Sequence, residues 1–305
     1  MANYRNYEIL DTKSKVEFTY KCMLENQNVE FVSKNKNIYT SEPFKKYNFW
    51  VMMDKLDTII DESDPDTDLP QIIHNCQAAE SIENRYISEN YKLKNVNIKD
   101  LFNDIEWNDL SEKYKQEYNT TMDKYYSHLD DWSWFPLIGF FHDAGKVMLL
   151  DEFGKLPQWA VVGDTFPLGL KLADNFVYFN KNYHKENIDL QENKYQKYCG
   201  FNKLLFSWSH DEYMASFMER NGKFPDEATY IVRYHSFYSW HTPRNNKRGY
   251  TQFANEKDWK MLPLLKAFQK ADLYSKTRIV PDIDLVKSKY NGLVLKYFEK
   301  IDLYW

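Results

Sequence analysis

Six side chains that could bind a metal ion occur on or beside helix faces that are otherwise apolar. They are four histidines and two aspartates: His74, His142, Asp143, His210, His235 and Asp272. The whole chain has only seven histidines, so this is a marked concentration. A carboxylate that is ionised on a buried face is costly unless a positive charge meets it. The pattern therefore indicates a buried centre in which imidazoles and carboxylates surround a cation.

Taken singly, each of these residues is better explained as a hydrogen-bonded core residue, and only the set favours metal. Imidazole combined with carboxylate suits iron, zinc or manganese more than calcium or magnesium. Six side-chain ligands are too many for one structural zinc ion. They suit two metal ions that share a carboxylate and lie about 3.5–4 Å apart. Asp143, directly after His142, is the candidate bridge.

The elements that must position these residues have a helical pattern. The 305 residues include only 9 glycines and 10 prolines, and neither type occurs between Pro70 and Pro136. A β-sandwich would need more turn residues than this. Apolar residues at helical spacing predict helices over 44–60, 71–82, 131–150, 202–220, 225–240 and 259–276. We predict an all-α fold, a single-domain helical bundle over residues 1–305.

Two stretches differ in composition from the predicted helices. Residues 84–127 are polar, rich in Asn, Lys and Tyr, and poor in small aliphatic residues. We interpret this stretch as an inserted, partly helical surface segment rather than core. Residues 175–200 are also rich in Asn and Lys, and we expect a loop there.

The composition excludes several classes of protein. The formal net charge of −5 argues against nucleic-acid binding, which needs a basic surface. No apolar run approaches the ~18 residues of a membrane span, and the N-terminus lacks the apolar region of a signal peptide. The three cysteines are widely spaced and odd in number, so they predict no disulfide framework. We expect a cytoplasmic monomer with no membrane or nucleic-acid partner.

The order of the six candidates resembles that of the HD-domain superfamily of helical metalloproteins. Longer strings resemble, in order, the motifs of the myo-inositol oxygenase family: DESDPDTDLPQIIH, FHDAGKV, PQWAVVGDTFP, SWSHDEYM, RYHSFYSWHT and KADLYSK. The resemblance covers nearly the whole chain. It departs from the family in residues 84–127 and 175–200.

The resemblance implies a di-iron oxygenase that cleaves the ring of myo-inositol with O2 to give D-glucuronate. A mixed-valent pair of irons is implied as the cofactor. His74, His142, Asp143 and Asp272 would hold one iron, and Asp143 would bridge to a second iron held by His210 and His235. The resemblance also implies the residues that bind inositol: Arg5, Asp61, Glu62, Ser63, Lys146, Gly163, Asp164, His235, Ser236 and Lys276.

Lys146 is expected to act with Asp143 in catalysis. It follows His142 by four residues and Asp143 by three, so on a helix it lies on their side. Its ammonium could stabilise negative charge that develops on the substrate. A lysine on the helix surface, without a role in the reaction, is the alternative.

Two other functions remain open at this point. An HD-type metal-dependent phosphohydrolase uses the same order of ligands, and Lys146 and Lys276 could hold its phosphate. The strings PQWAVVGDTFP and RYHSFYSWH favour the oxygenase instead. A helical binding module without catalytic activity is the other alternative, and the presence of all six ligand positions argues against it.

Overall fold

The computed structural model describes residues 15–42, 44–64, 69–176, 195–242, 247–274 and 281–305. Within these ranges the chain forms fourteen α-helices: α1 (Lys15–Asn26), α2 (Val29–Thr40), α3 (Phe49–Lys55), α4 (Gln71–Tyr86), α5 (Asp104–Asn108), α6 (Glu112–Glu117), α7 (Met122–Tyr125), α8 (Trp134–Phe141), α9 (Gln158–Val161), α10 (His210–Asn221), α11 (Asp226–Tyr234), α12 (Tyr238–His241), α13 (Glu256–Tyr274) and α14 (Ile283–Phe298). Six short 3-10 helices cover Leu56–Thr58, Glu89–Tyr91, Ile98–Leu101, Ala144–Leu149, Asp151–Phe153 and Phe201–Lys203. The all-α prediction is confirmed, while the assignment of one domain to residues 1–305 stays a prediction.

Two three-residue strands form the β-structure of the described residues. Strand β1 (Lys46–Asn48) pairs antiparallel with β2 (Asp302–Tyr304), and Lys46 lies opposite Tyr304. The pair fastens the C-terminal end of the chain beside the start of α3. Among the described helices, none is both long enough and apolar enough to cross a membrane.

The helices that carry the six candidate ligands pack directly against one another. Helix α4 contacts α8 and α13, α10 contacts α11, and α11 contacts both α8 and α13. Helices α4 and α8 approach closely at Gly139, where an added Cβ would lie 2.6 Å from Ile82 Cδ1 and 3.1 Å from Ala79 Cα. A larger residue at this position would separate the two helices, so glycine keeps His74 and His142 within reach of each other.

The helix predicted over 131–150 is divided in the structure. Helix α8 ends at Phe141, and the backbone continues through Asp143 into the 3-10 helix Ala144–Leu149. The tighter turn brings Gly145 against α10, where an added Cβ would lie 2.5 Å from the carbonyl oxygen of His210. Close packing between the two backbones therefore accompanies the departure from α-helical geometry.

Residues 84–127 contribute to the core, which differs from the surface character that we expected. Tyr118 and Met122 are fully buried. The hydroxyls of Tyr118 and Tyr126 donate hydrogen bonds to backbone carbonyls of α13. Tyrosine can bury its ring while its hydroxyl finds a polar partner, so a stretch poor in aliphatic residues can still pack tightly. That the segment is an insertion stays a prediction. Most of the loop expected at 175–200 lies outside the described residues.

We expect Met122→Ala to destabilise the protein by about 2–5 kcal/mol, because it leaves a cavity in a packed core. Unfolding in denaturant measures this: the midpoint should fall while the m-value, the slope of the free energy of unfolding against denaturant concentration, stays the same. Lys124→Ala, on the exposed side of the same helix, is the control. A loss below about 0.5 kcal/mol for Met122→Ala would mean that 84–127 is not part of the core.

Candidate metal centre

The structure brings all six predicted ligands together from the ends of five helices. His74 lies in the first turn of α4, His142 and Asp143 directly follow α8, His210 begins α10, His235 directly follows α11, and Asp272 lies in the last turn of α13. All six are at most 9 % exposed.

The Asp143 carboxylate lies between two pairs of imidazoles. Its Oδ2 atom lies 3.6 Å from Nε2 of His74 and 3.4 Å from Nε2 of His142. Its Oδ1 atom lies 3.0 Å from Nε2 of His210 and 3.5 Å from Nε2 of His235. Each oxygen therefore faces one pair. Each pair together with Asp143 forms a group of three whose ligand atoms lie within 4.8 Å of one another, close enough to hold a metal ion.

Asp272 lies beside the first pair of imidazoles. Its Oδ1 atom is 2.8 Å from Nε2 of His74 and 3.5 Å from Nε2 of His142. It is thus placed to add a second carboxylate to this half of the centre.

Backbone carbonyls orient three of the four imidazoles. Nδ1 of His142 lies 2.9 Å from the carbonyl of Gly139, and Nδ1 of His235 lies 2.7 Å from that of Val232. Nδ1 of His210 lies 2.6 Å from the carbonyl of Val161. A carbonyl only accepts hydrogen bonds, so each Nδ1 is the donor. In the neutral imidazole the Nε2 lone pair then faces the centre, which is the arrangement of metal-binding histidines. The residues present therefore fit a pair of transition-metal ions.

The two carboxylates of the centre, Asp143 and Asp272, are ionised and attract positive charge. Burial opposes ionisation of Asp143, but the Lys146 ammonium and the neighbouring imidazoles hold its pKa well below the ordinary value. Imidazoles do the same for the pKa of Asp272, again against the effect of burial. Burial by itself would lower the pKa of His210, yet the carboxylates of Asp211 and Asp143 raise it to about 10. Protons or metal ions among these groups are thus strongly favoured.

Lys146 is buried in the centre rather than exposed on a helix surface. Its Nζ atom donates to Asp61 Oδ2 at 2.8 Å, to Asp143 Oδ2 at 2.9 Å and to Gln71 Oε1 at 2.9 Å. Burial disfavours the ammonium, but Asp143 and Asp61 outweigh it and raise the pKa of Lys146. The pKa of Asp61 is lowered to about 2 by Lys146 and Ser63, despite burial.

A small cavity beside the centre contains several of the residues expected to bind the substrate. Those lining it are Asp61, Ser63, Lys146, Gly163, His235 and Ser236. Glu62 does not line it and pairs with Lys15 at 3.2 Å. Asp164 does not line it either; its buried carboxylate accepts a hydrogen bond from the Tyr20 hydroxyl at 2.7 Å. Arg5 and Lys276 lie outside the described residues. The substrate-binding role of all these residues stays a prediction.

Two buried polar residues in contact with the centre were not identified from the sequence. Gln71 lies three residues before His74 on α4 and donates to Asp143 Oδ2 at 2.6 Å. Asp211 lies 3.0 Å from Nε2 of His210 through Oδ1 and accepts the Ser236 backbone N–H through Oδ2 at 3.1 Å. Two features of the sequence could have indicated them. Gln71 lies one helical turn before His74, and His210-Asp211 repeats the His-Asp pair of His142-Asp143.

Comparison with known proteins agrees with this geometry. A sequence profile of the myo-inositol oxygenase family matches residues 13–105 and 95–305. The chain is 36 % identical to inositol oxygenase of Homo sapiens, over 97 % of this chain and 89 % of the human protein. It is 35 % identical to inositol oxygenase of Dictyostelium discoideum, over 100 % of this chain and 90 % of that protein. It is also 35 % identical to inositol oxygenase 4 of Arabidopsis thaliana, over 99 % of this chain and 82 % of that protein. A buried His/Asp centre and full-length similarity thus lead to one conclusion: this chain is an enzyme of the myo-inositol oxygenase family.

Proposed function

We propose that this chain binds two iron ions, a mixed-valent pair, and uses O2 to oxidise myo-inositol to D-glucuronate. The observation that carries the proposal is the position of Asp143, whose two oxygens face two separate pairs of imidazoles. Membership of the family supplies the substrate. The choice of iron follows from the imidazole and carboxylate ligands together with reaction with O2.

The two halves of the centre are assigned different ligands. His74, His142 and Asp272 would hold one iron with Asp143 Oδ2, whereas His210 and His235 would hold the other with Asp143 Oδ1. When bound, the two ions would supply Lewis-acid and redox chemistry. The second ion has fewer protein ligands in this assignment, so it has room to bind the substrate.

The residues around the cavity suit a polyol. Inositol presents six hydroxyl groups, and the Asp61 carboxylate and the hydroxyls of Ser63 and Ser236 can accept hydrogen bonds from them. Gly163 has φ of +90°, and an added Cβ would lie 2.5 Å from Met23 Cε. Glycine tolerates this left-handed backbone, and without a side chain it lets the backbone itself form part of the cavity wall. We propose that Arg5 and Lys276 complete the pocket. For Glu62 and Asp164, which do not line the cavity, contact with inositol stays a prediction.

Lys146 is proposed to stabilise negative charge on the substrate. Its Nζ atom already lies 2.9 Å from Oδ2 of Asp143, the carboxylate proposed to bridge the two ions. The comparisons match the oxygenase family and give no support to the phosphohydrolase alternative.

We further propose that the protein is a cytoplasmic monomer. The support for the compartment is its cysteine chemistry, since Cys22, Cys76 and Cys199 are all free thiols. Free thiols without disulfides are usual in a reducing compartment.

The purified chain, loaded with iron, is expected to hold about two iron ions and to consume one O2 for each D-glucuronate formed from myo-inositol. Iron analysis, an oxygen electrode and product chromatography check this. The matched control is the same preparation without inositol. One tightly bound zinc ion and no inositol-dependent oxygen uptake would contradict the proposed function.

Asp143→Ala is expected to lose both iron ions, because the carboxylate touches both halves of the centre. His74→Ala is expected to retain the ion of the His210 and His235 half. Metal analysis after gel filtration separates the two outcomes, with Glu80→Ala on the exposed side of α4 as the control. Two irons and normal turnover in Asp143→Ala would show that this residue is not the bridge.

Lys146→Met should keep the iron and lower turnover or inositol affinity by roughly 1.5–3 kcal/mol, the contribution of a charge-assisted hydrogen bond. Lys146→Arg should rescue poorly, since a planar guanidinium cannot replace a compact ammonium. Steady-state kinetics provide the measurement, with the exposed Lys203→Met as the control. Wild-type kinetics in Lys146→Met would remove this lysine from the reaction.

A further inference from the structure

Gln71 makes three side-chain hydrogen bonds in the centre, although no catalytic or metal-binding role has been assigned to it above. It is the first residue of α4 and is 3 % exposed. Its Nε2 atom donates to Asp143 Oδ2 at 2.6 Å and to Asn75 Oδ1 at 3.1 Å. Its Oε1 atom accepts from Lys146 Nζ at 2.9 Å. Every polar atom of the amide is therefore used.

The orientation of the Gln71 amide is determined by its neighbours. The Lys146 ammonium has only donors, so the amide oxygen must face it. The amide nitrogen must then face the acceptors, which are the Asp143 carboxylate and Asn75 Oδ1. A flipped amide would place its oxygen against a carboxylate and its N–H groups against an ammonium. The backbone holds the residue in place as well, because the Gln71 N–H donates to the carbonyl of Ile59 at 2.9 Å.

The hydrogen bond from Gln71 Nε2 to Asp143 Oδ2 restrains the side-chain torsion that sets the direction of the two Asp143 oxygens. The terminal torsion of an aspartate is broad, so the carboxylate plane is not fixed by its own rotamer preference. Gln71 holds Oδ2 on the side of His74 and His142, which leaves Oδ1 toward His210 and His235. Rotation of the carboxylate would break a short, buried, charge-assisted hydrogen bond.

Lys146 is the more replaceable of the two donors to Asp143 Oδ2. Its ammonium also donates to Asp61 Oδ2 at 2.8 Å, so it keeps a charged partner if it leaves Asp143. Within the described residues, Asp143 is the one carboxylate that the Gln71 amide hydrogen-bonds. With a metal ion bound at Oδ2, Gln71 would therefore be the donor that stays.

We propose that Gln71 is a positioning residue, which fixes the Asp143 carboxylate so that each oxygen serves one half of the metal centre. The proposal rests on the function of Asp143 as the bridge between two metal ions. Partners that orient metal ligands in this way usually contribute 10–100-fold to metal affinity.

The test is a titration of the metal-free full-length chain with cobalt(II), followed by its absorption spectrum. Gln71→Met keeps the approximate volume and removes all three hydrogen bonds, and we expect cobalt(II) to bind 10–100-fold more weakly. Gln77→Met is the matched control, because Gln77 is a buried glutamine six residues further along the same helix. The control is expected to bind cobalt(II) as the wild type does. Cobalt(II) affinity within twofold of wild type in Gln71→Met would overturn the proposal.

A second measurement needs no variant, and so it is independent of whether Gln71→Met folds. In a crystal structure of the cobalt-loaded wild type, the Gln71 amide nitrogen should remain within hydrogen-bond distance of an Asp143 oxygen, about 3.2 Å or less. An amide turned away from Asp143 would overturn the proposal. If the wild type binds no pair of cobalt ions, the di-metal function itself fails, and that outcome is distinct from failure of Gln71 alone.

Discussion

The Asp143 carboxylate is buried between two pairs of imidazoles, and this contact constrains how the surrounding helices pack. An ionised carboxylate removed from water needs positive charge close to both of its oxygens. Here each oxygen faces Nε2 atoms from two different helices, and Oδ2 also accepts from Lys146. The surrounding helices must therefore meet at this one residue, and their packing has to be close enough to bring them there.

The close approaches in the fold follow from this requirement. Gly139 lets α8 lie against α4, and Gly145 lets the backbone after Asp143 lie against the start of α10. Each glycine stands near a residue that carries an imidazole of the centre. A side chain at either position would displace a helix end, so the small residues serve the geometry of the centre as well as the density of the core.

The sequence allowed the composition of the centre to be predicted, but not its internal arrangement. Histidines and aspartates on apolar faces are conspicuous because burial of such groups is costly. The structure brings the six predicted ones together, and that they bind metal stays a prediction. Which oxygen of Asp143 faces which pair depends on helix packing, which no local pattern encodes. Gln71 and Asp211 were missed because a polar residue beside a histidine is ordinary until its burial is known.

For the fold, the helical class was predicted from the sequence, whereas the burial of residues 84–127 and the end of α8 were not. Apolar residues at helical spacing predicted α4 and α13 to within a few residues of their observed ends, since that spacing reflects burial. Residues 84–127 were judged by their few aliphatic residues, yet rings such as that of Tyr118 provide buried surface that this count ignores. The end of α8 at Phe141 could not be predicted either, because it accompanies a contact between Gly145 and His210, 65 residues further along the chain.

Anomalous diffraction at the iron absorption edge, from crystals of the iron-loaded protein, would show whether Asp143 bridges two ions. A bridging carboxylate predicts two iron peaks about 3.5–4 Å apart, one beside each oxygen of Asp143. One peak would lie with His74 and His142, and the other with His210 and His235. A single peak, or two peaks on the same side of Asp143, would contradict a carboxylate that bridges two metal ions.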